Sequence, residues 1–81
     1  MRKFTGTYWA FVFLAENPGW HTTPEIIKFV QTKTAAVSDS LAIGLMAYVE
    51  HGFLDNQRPV LNQPHEWRLT AKGKERLDYA Q

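Results

Sequence analysis

The sequence predicts one mainly α domain with a small β-hairpin: a three-helix core, the hairpin, and a C-terminal helix. Three observations predict it. A threonine or serine stands just ahead of three of the segments, where a hydroxyl caps a helix. Gly52-Phe53 closes the strongest helical stripe. The alternating stretch Glu66-Trp67-Arg68-Leu69 follows a polar tip that contains Pro64.

The first segment, Thr7 to Glu16, is nearly continuous in apolar and aromatic residues and is stopped by Asn17-Pro18-Gly19. A buried strand and a buried helix both fit such a run; a helix followed by a turn is expected. Met1-Arg2-Lys3 ahead of it loosely mimics a signal peptide. The following Glu16-Asn17-Pro18-Gly19-Trp20 has no small-residue cleavage site, so the segment is expected to be folded structure.

Thr23 is placed as the N-cap of the second helix, with Pro24 at the first helical position and Glu25 favourable to the helix dipole. Ile26, Ile27 and Val30 form its apolar stripe, and Gln31-Thr32-Lys33-Thr34 ends it.

Ser38 caps the third helix, with Asp39 just inside. Leu41, Leu45 and Tyr48 recur at i, i+4 and i+7. Gly52 with Phe53 after it predicts a Schellman ending in which Phe53 packs back on Tyr48. Gly44, costly inside a helix, suggests a close helix contact.

Pro59-Val60-Leu61 and Glu66 to Thr70 are expected as the two extended runs of the hairpin, around Asn62-Gln63-Pro64-His65. Trp67 and Leu69 then share one face, Glu66 and Arg68 the other. Thr70 caps a last helix from Ala71 to about Tyr79, anchored by Leu77, with Lys74 and Asp78 able to pair.

Composition limits the function. The 81 residues hold 9 Lys+Arg against 8 Asp+Glu, for a formal net charge of +1. Basic and acidic groups spread evenly, four and three in residues 1–40, five and five in residues 41–81. There is no cysteine, so no disulfide and no thiolate metal site. With 44% hydrophobic and 21% charged residues the chain is globular in composition. No apolar run approaches the roughly 20 residues of a membrane helix, so no membrane partner and a cytoplasmic location are expected.

Two strings resemble a known family. Leu45-Met46-Ala47-Tyr48-Val49-Glu50-His51-Gly52-Phe53-Leu54 is similar to the "LxxLxxxGLI/V" ending of the third helix in winged-helix regulators. Trp67-Arg68-Leu69-Thr70-Ala71-Lys72-Gly73-Lys74-Glu75-Arg76-Leu77 is similar to their "Y-x-L-T-x-x-G-x-x-x-L" wing exit. The matched region runs from about Thr22 to Asp78, and the chain resembles a small winged helix-turn-helix protein of the MarR/PadR-like type. Physics agrees with the second string: Leu69 enters the core, Thr70 caps the next helix, Gly73 lets that helix pass close to the wing, and Leu77 returns to the core.

The resemblance implies a transcriptional regulator that binds double-stranded DNA. The third helix, about 38–51, would enter the major groove and the 58–68 hairpin would act as wing. It implies DNA contacts from Lys28, from Thr32, Lys33 and Thr34 in the turn, and from Ser38, Asp39, Ser40, Ala42 and Ile43 near the helix start. The wing would add Arg58, Asn62, Gln63, His65 and Arg68.

The sequence departs from the family in one respect. From Ser38 to Glu50 there is no Lys or Arg, whereas Arg or Lys to guanine is the commonest specific base contact. An alternative therefore stands beside DNA: a protein-protein interaction module whose third helix is part of an interface. Trp9, Phe11, Phe13 and Trp20 are too many aromatics for a domain this small to bury. A homodimer through Tyr8, Trp9, Phe11, Val12 and Phe13 is expected. No enzyme, cofactor or metal is expected. His21, His51 and His65 are scattered without ligand spacing, and the glycines at 6, 19, 44, 52 and 73 form no phosphate loop.

Overall fold

The computed structural model describes residues 2–34 and 40–80. Four helices and a three-stranded antiparallel sheet make a mixed α/β arrangement. The elements are α1 (Gly6–Glu16), β1 (His21–Thr22), α2 (Thr23–Gln31), α3 (Ser40–Glu50), β2 (Leu54–Gln57), β3 (Glu66–Leu69) and α4 (Ala71–Asp78). The sheet order is β1-β3-β2.

Helix α1 is apolar almost all round because it lies at the centre, packed against α2, α3, α4 and β3. Thr5 starts it by accepting a hydrogen bond from the Tyr8 amide at 3.2 Å. Ala10, Phe11 and Leu14 of α1 join Ile26, Val30, Leu41, Leu45, Leu54 and Trp67 in one buried cluster. Each fully buried aliphatic or aromatic side chain in it stabilises the fold by about 1.5–3 kcal/mol. Of the four aromatics thought too many to bury, Phe11 is enclosed, and Trp9, Phe13 and Trp20 stay partly exposed.

The cap of α2 is Thr22, one residue earlier than the sequence suggested. Its hydroxyl accepts from the Glu25 amide, and the Glu25 carboxylate accepts from the Thr22 amide at 3.2 Å, which is a capping box. Thr23 has a different task. Its hydroxyl accepts from the Trp67 indole N–H at 2.7 Å and donates to the His65 carbonyl at 3.3 Å. Trp67 can therefore be 1% exposed without an unsatisfied donor.

The expected cap Ser38, and Asp39 placed just inside the helix, fall outside the described residues. At its other end α3 closes as expected. Gly52 takes φ +80°, its amide donates to the Val49 carbonyl, and the Phe53 amide donates to the Tyr48 carbonyl at 2.9 Å. The Phe53 and Tyr48 rings are 6.0 Å apart, the apolar contact that frequently accompanies a Schellman ending. Lys72 then donates to the His51 carbonyl at 3.0 Å, a cation on the negative end of the helix. Gly44 needs no special space: among the described residues a Cβ there meets Thr7 Oγ1 at 3.8 Å, an ordinary contact.

The hairpin differs most from expectation. Its first strand is Leu54–Gln57, and Pro59, Val60 and Leu61 lie exposed in the loop. Pro59 cannot donate to a ladder. Leu54-Asp55-Asn56-Gln57 instead pairs with Leu69-Arg68-Trp67-Glu66. The side-chain amides of Asn56 and Gln57 also donate to Glu66, at 3.1 Å to its carbonyl and 2.7 Å to its carboxylate. A third strand, unforeseen, adds His21 opposite Trp67 and Thr22 opposite Glu66.

Thr70 caps α4, accepting from the Gly73 amide at 2.9 Å. Gly73 is buried where a side chain could not fit. A Cβ there would overlap the Phe53 carbonyl oxygen and lie 2.7 Å from Leu69 Cδ1. The Lys74–Asp78 pair does not form; the ion pairs among the described residues are His21–Glu25 and Arg68–Asp55. No helix among the described residues is long and apolar enough to cross a membrane.

Candidate functional site

Burial of Leu41 and Leu45 fixes which side of α3 faces outward. That side carries Ile43, 74% exposed, and Met46, 43% exposed, with Ala42 half-buried between them and the core. Ile43 and Met46 are three residues apart, hence neighbours on one helix face. With His65 and Trp67 they line an open groove of about 190 Å³ between α3 and β3. The outer face of α3 and the base of the hairpin loop therefore form one continuous surface.

The loop between β2 and β3 is braced from within. The Gln63 amide donates to the Val60 carbonyl at 3.1 Å, and Asn62 takes φ +74°, which a type II turn needs at that position. Arg58 Nε donates to the Gln63 carbonyl at 3.1 Å. His65 Nδ1 meets Asn56 Oδ1 at 3.2 Å. Asn62 and Gln63 point into solvent, as do Val60 and Leu61, 55% and 77% exposed.

The remaining sequence-predicted residues separate. Lys28 is exposed on α2, and Thr32 donates its hydroxyl to the Phe29 carbonyl at 2.6 Å. Thr34 is half-buried, its amide bonded to the Val30 carbonyl. Lys33 Nζ lies 5.4 Å from the Trp9 ring and 5.6 Å from Phe29, which ties it to the α1–α2 flank. Arg68 is held on the opposite sheet face from Trp67. It donates Nη2 to Asp55 at 2.8 Å and stacks its guanidinium 4.5 Å from the Trp20 ring. Ser40 opens α3, while Ser38 and Asp39 are outside the described residues.

On the α1 flank Tyr8, Trp9, Val12 and Phe13 are half-buried, whereas Phe11 is fully enclosed and packs edge-on against Tyr48. Phe4, 65% exposed, completes an aromatic cluster with Tyr8 and Trp9 at centroid distances of 5.5 and 5.7 Å.

Sequence reasoning missed Met46 as part of the outer face, although its spacing from Ile43 was the available signal. It also missed the clamp at His21. The two ring nitrogens meet the Glu25 carboxylate and the Asn17 carbonyl, each at 2.9 Å, tying the 17–19 turn to α2. The His21 hydrogen bond, then the Thr22 amide, holds the Glu25 carboxyl below its ordinary value.

Chemically, the outer face of α3 offers contact area without donors or acceptors. Among the described residues of α3 and the 58–65 loop, the charges are Glu50 at the far helix end, Arg58 and, when protonated, His65. Compared with protein-family models, curated proteins and solved structures, the chain matches none of them.

Proposed function

We propose that this chain is a DNA-binding domain of the winged-helix type, acting as a transcriptional regulator. Helix α3 would lie in the major groove, with the 58–65 loop of the hairpin as wing on the adjoining backbone. The observation that carries it is the continuous surface of α3 and the loop base, joined through His65. The core holds that surface rigid from behind through Leu41, Leu45 and Trp67. The order of α2, α3 and hairpin, with β1 paired to β3 just ahead of α2 in the chain, supports the same reading. A second copy, docked along Tyr8, Trp9, Val12 and Phe13, would bring a second α3 to a neighbouring half-site.

The test is duplex binding by fluorescence anisotropy at about 20 mM salt, with the slope of log K against log salt as readout. Arg58→Ala should weaken binding to all sequences and reduce the slope by about one. Arg68→Ala should weaken it less, because that guanidinium is engaged by Asp55 and Trp20 on the other sheet face. No binding at that salt would sink the proposal.

One observation favours a second reading. The α3–β3 groove is lined almost wholly by apolar atoms of Ala42, Ile43, Met46 and Trp67. A protein partner could bury such a face, and in that case Ile43→Asp abolishes capture of the partner without any duplex affinity to lose.

A further inference from the structure

We infer that His21 is a proton-operated clamp on the turn between α1 and β1: the doubly protonated ring holds that turn against α2, and loss of one proton releases it. The clamp is independent of the DNA reading.

The geometry of the two ring nitrogens carries it. Nδ1 is 2.9 Å from Glu25 Oε2, and Nε2 is 2.9 Å from the Asn17 carbonyl oxygen. Both are direct hydrogen-bond distances that leave no room for a water between. A backbone carbonyl and an ionised carboxylate can only accept. A neutral imidazole has one N–H and one lone pair, so it satisfies one of these oxygens and turns a lone pair towards the other. The imidazolium donates to both.

Which bond is lost follows from the acceptors. A hydrogen bond to a charged oxygen is roughly twice as strong as one to a neutral oxygen. The remaining proton therefore stays on Nδ1 with Glu25, and Asn17 is let go. Asn17 ends α1 and begins the turn that leads to Trp20. The Trp20 ring lies 4.5 Å from the Arg68 guanidinium, and Pro18 and Gly19 wall a cavity of about 230 Å³ together with Arg68 and Lys74. Releasing the turn loosens both the cover of Arg68 and the wall of that cavity.

The surroundings leave Glu25 as the charge that governs the ring. The imidazole packs edge-on against Phe13 of α1 at 5.0 Å, and His21 stands opposite Trp67 of β3. The charged residues on the elements around it are Glu16 of α1, Glu25 and Lys28 of α2, and Glu66 and Arg68 of β3. Glu16 and Lys28 are exposed, Glu66 is bonded by Gln57, and Arg68 is paired with Asp55. Among the described residues, Glu25 is the group within ion-pair distance of the ring.

The experiment is a pH titration of the full chain by NMR. It follows the ring nitrogens of all three histidines and the backbone amides of Gly19 and Trp20. The range runs from about pH 5.5 to about 8.5, either side of the ordinary histidine value of about 6.5. At the acid end both His21 nitrogens should carry a proton, and at the alkaline end Nδ1 alone. The Gly19 and Trp20 signals should shift in step with the His21 ring and not with His51 or His65. His21→Phe keeps a ring against Phe13 but has no proton to lose, and it should abolish that shift. A proton left on Nε2 at the alkaline end overturns the clamp. So do turn signals that stay still while the ring titrates, and a shift that persists in His21→Phe. If that variant does not fold, the parent titration decides alone, because ring and turn are read in the same protein.

Discussion

The same substitution at two helical glycines should move stability in opposite directions. At Gly44 an added Cβ meets, among the described residues, Thr7 Oγ1 at 3.8 Å, which is ordinary contact. Gly44→Ala removes the entropic cost of glycine in a helix interior and should stabilise by about 0.5–1 kcal/mol. At Gly73 the new carbon would overlap the Phe53 carbonyl oxygen, with the carbonyl carbon at 2.9 Å and Leu69 Cδ1 at 2.7 Å. The obstacle is largely backbone, and that backbone is fixed by the Schellman turn behind it and by the Thr70 amide, which donates to the same carbonyl at 3.2 Å. No side chain can swing clear, so α4 must move off the turn. Overpacking costs about 1–3 kcal/mol in side-chain cores and more against backbone, against a helix-propensity gain of about 1. The net loss should be about 2 kcal/mol. In a domain of this size 1 kcal/mol moves Tm by roughly 4–8 °C. Thermal unfolding followed by circular dichroism should therefore show Gly44→Ala about 4 °C above the parent and Gly73→Ala about 10 °C below it. A Gly73→Ala protein as stable as the parent would refute the close approach of α4 to Phe53, and with it the placement of the hairpin against α4.

Other consequences are smaller. Thr22→Ala breaks the capping box of α2 and should cost about 1 kcal/mol in urea unfolding, whereas Thr22→Ser should cost much less. Because folding holds the Glu25 carboxyl below its ordinary value, its contribution is full above the unfolded carboxylate range and is lost as pH falls through the folded value. Stability measured from pH 6 downward should thus fall less steeply in Glu25→Gln; an unchanged pH profile would remove the His21–Glu25 clamp as a cause. Light scattering at micromolar concentration should give a dimer mass that Trp9→Ala shifts towards monomer, and a monomeric parent would dismiss the α1 flank as an interface.

Where a side chain bonds its own neighbouring backbone, the fold was legible. Thr70 and the Gly52-Phe53 pair announce their helix ends in a handful of residues, and both fall where the sequence put them. Strand β2 was not legible, because Leu-Asp-Asn-Gln has little strand propensity; it is a strand because its backbone pairs with β3 from Leu54 opposite Leu69 to Gln57 opposite Glu66, with the Asn56 and Gln57 side-chain amides bonding Glu66 besides. Thr22 has the local signature of the cap, Glu25 three residues on for a capping box, and Thr23 does not. What the sequence could not show is the task of Thr23, whose hydroxyl takes the indole N–H of Trp67 from far along the chain. The candidate site shows the same division. The outward position of Ile43 follows from the period of Leu41 and Leu45. The withdrawal of Lys33 and Arg68 onto aromatic rings depends on Trp9, Phe29 and Trp20 arriving from other segments.

That withdrawal bears on how the chain would hold DNA. Of its nine Lys and Arg residues, Lys33, Arg68 and Lys72 are each engaged with a ring, and Arg68 and Lys72 also with an oxygen. On the surface shared by α3 and the loop, Arg58 is the permanent cation. Each phosphate neutralised contributes a slope of about 0.9 in log K against log salt, so one copy would bind with a shallow slope and low affinity. Two copies double the number of phosphate contacts, and linking them turns the second docking into a local event. The homodimer along α1 and the DNA reading of α3 therefore depend on each other: if the protein binds duplex usefully at physiological salt, it does so as a pair. In such a pair the two Arg58 side chains would set how tightly the complex is held.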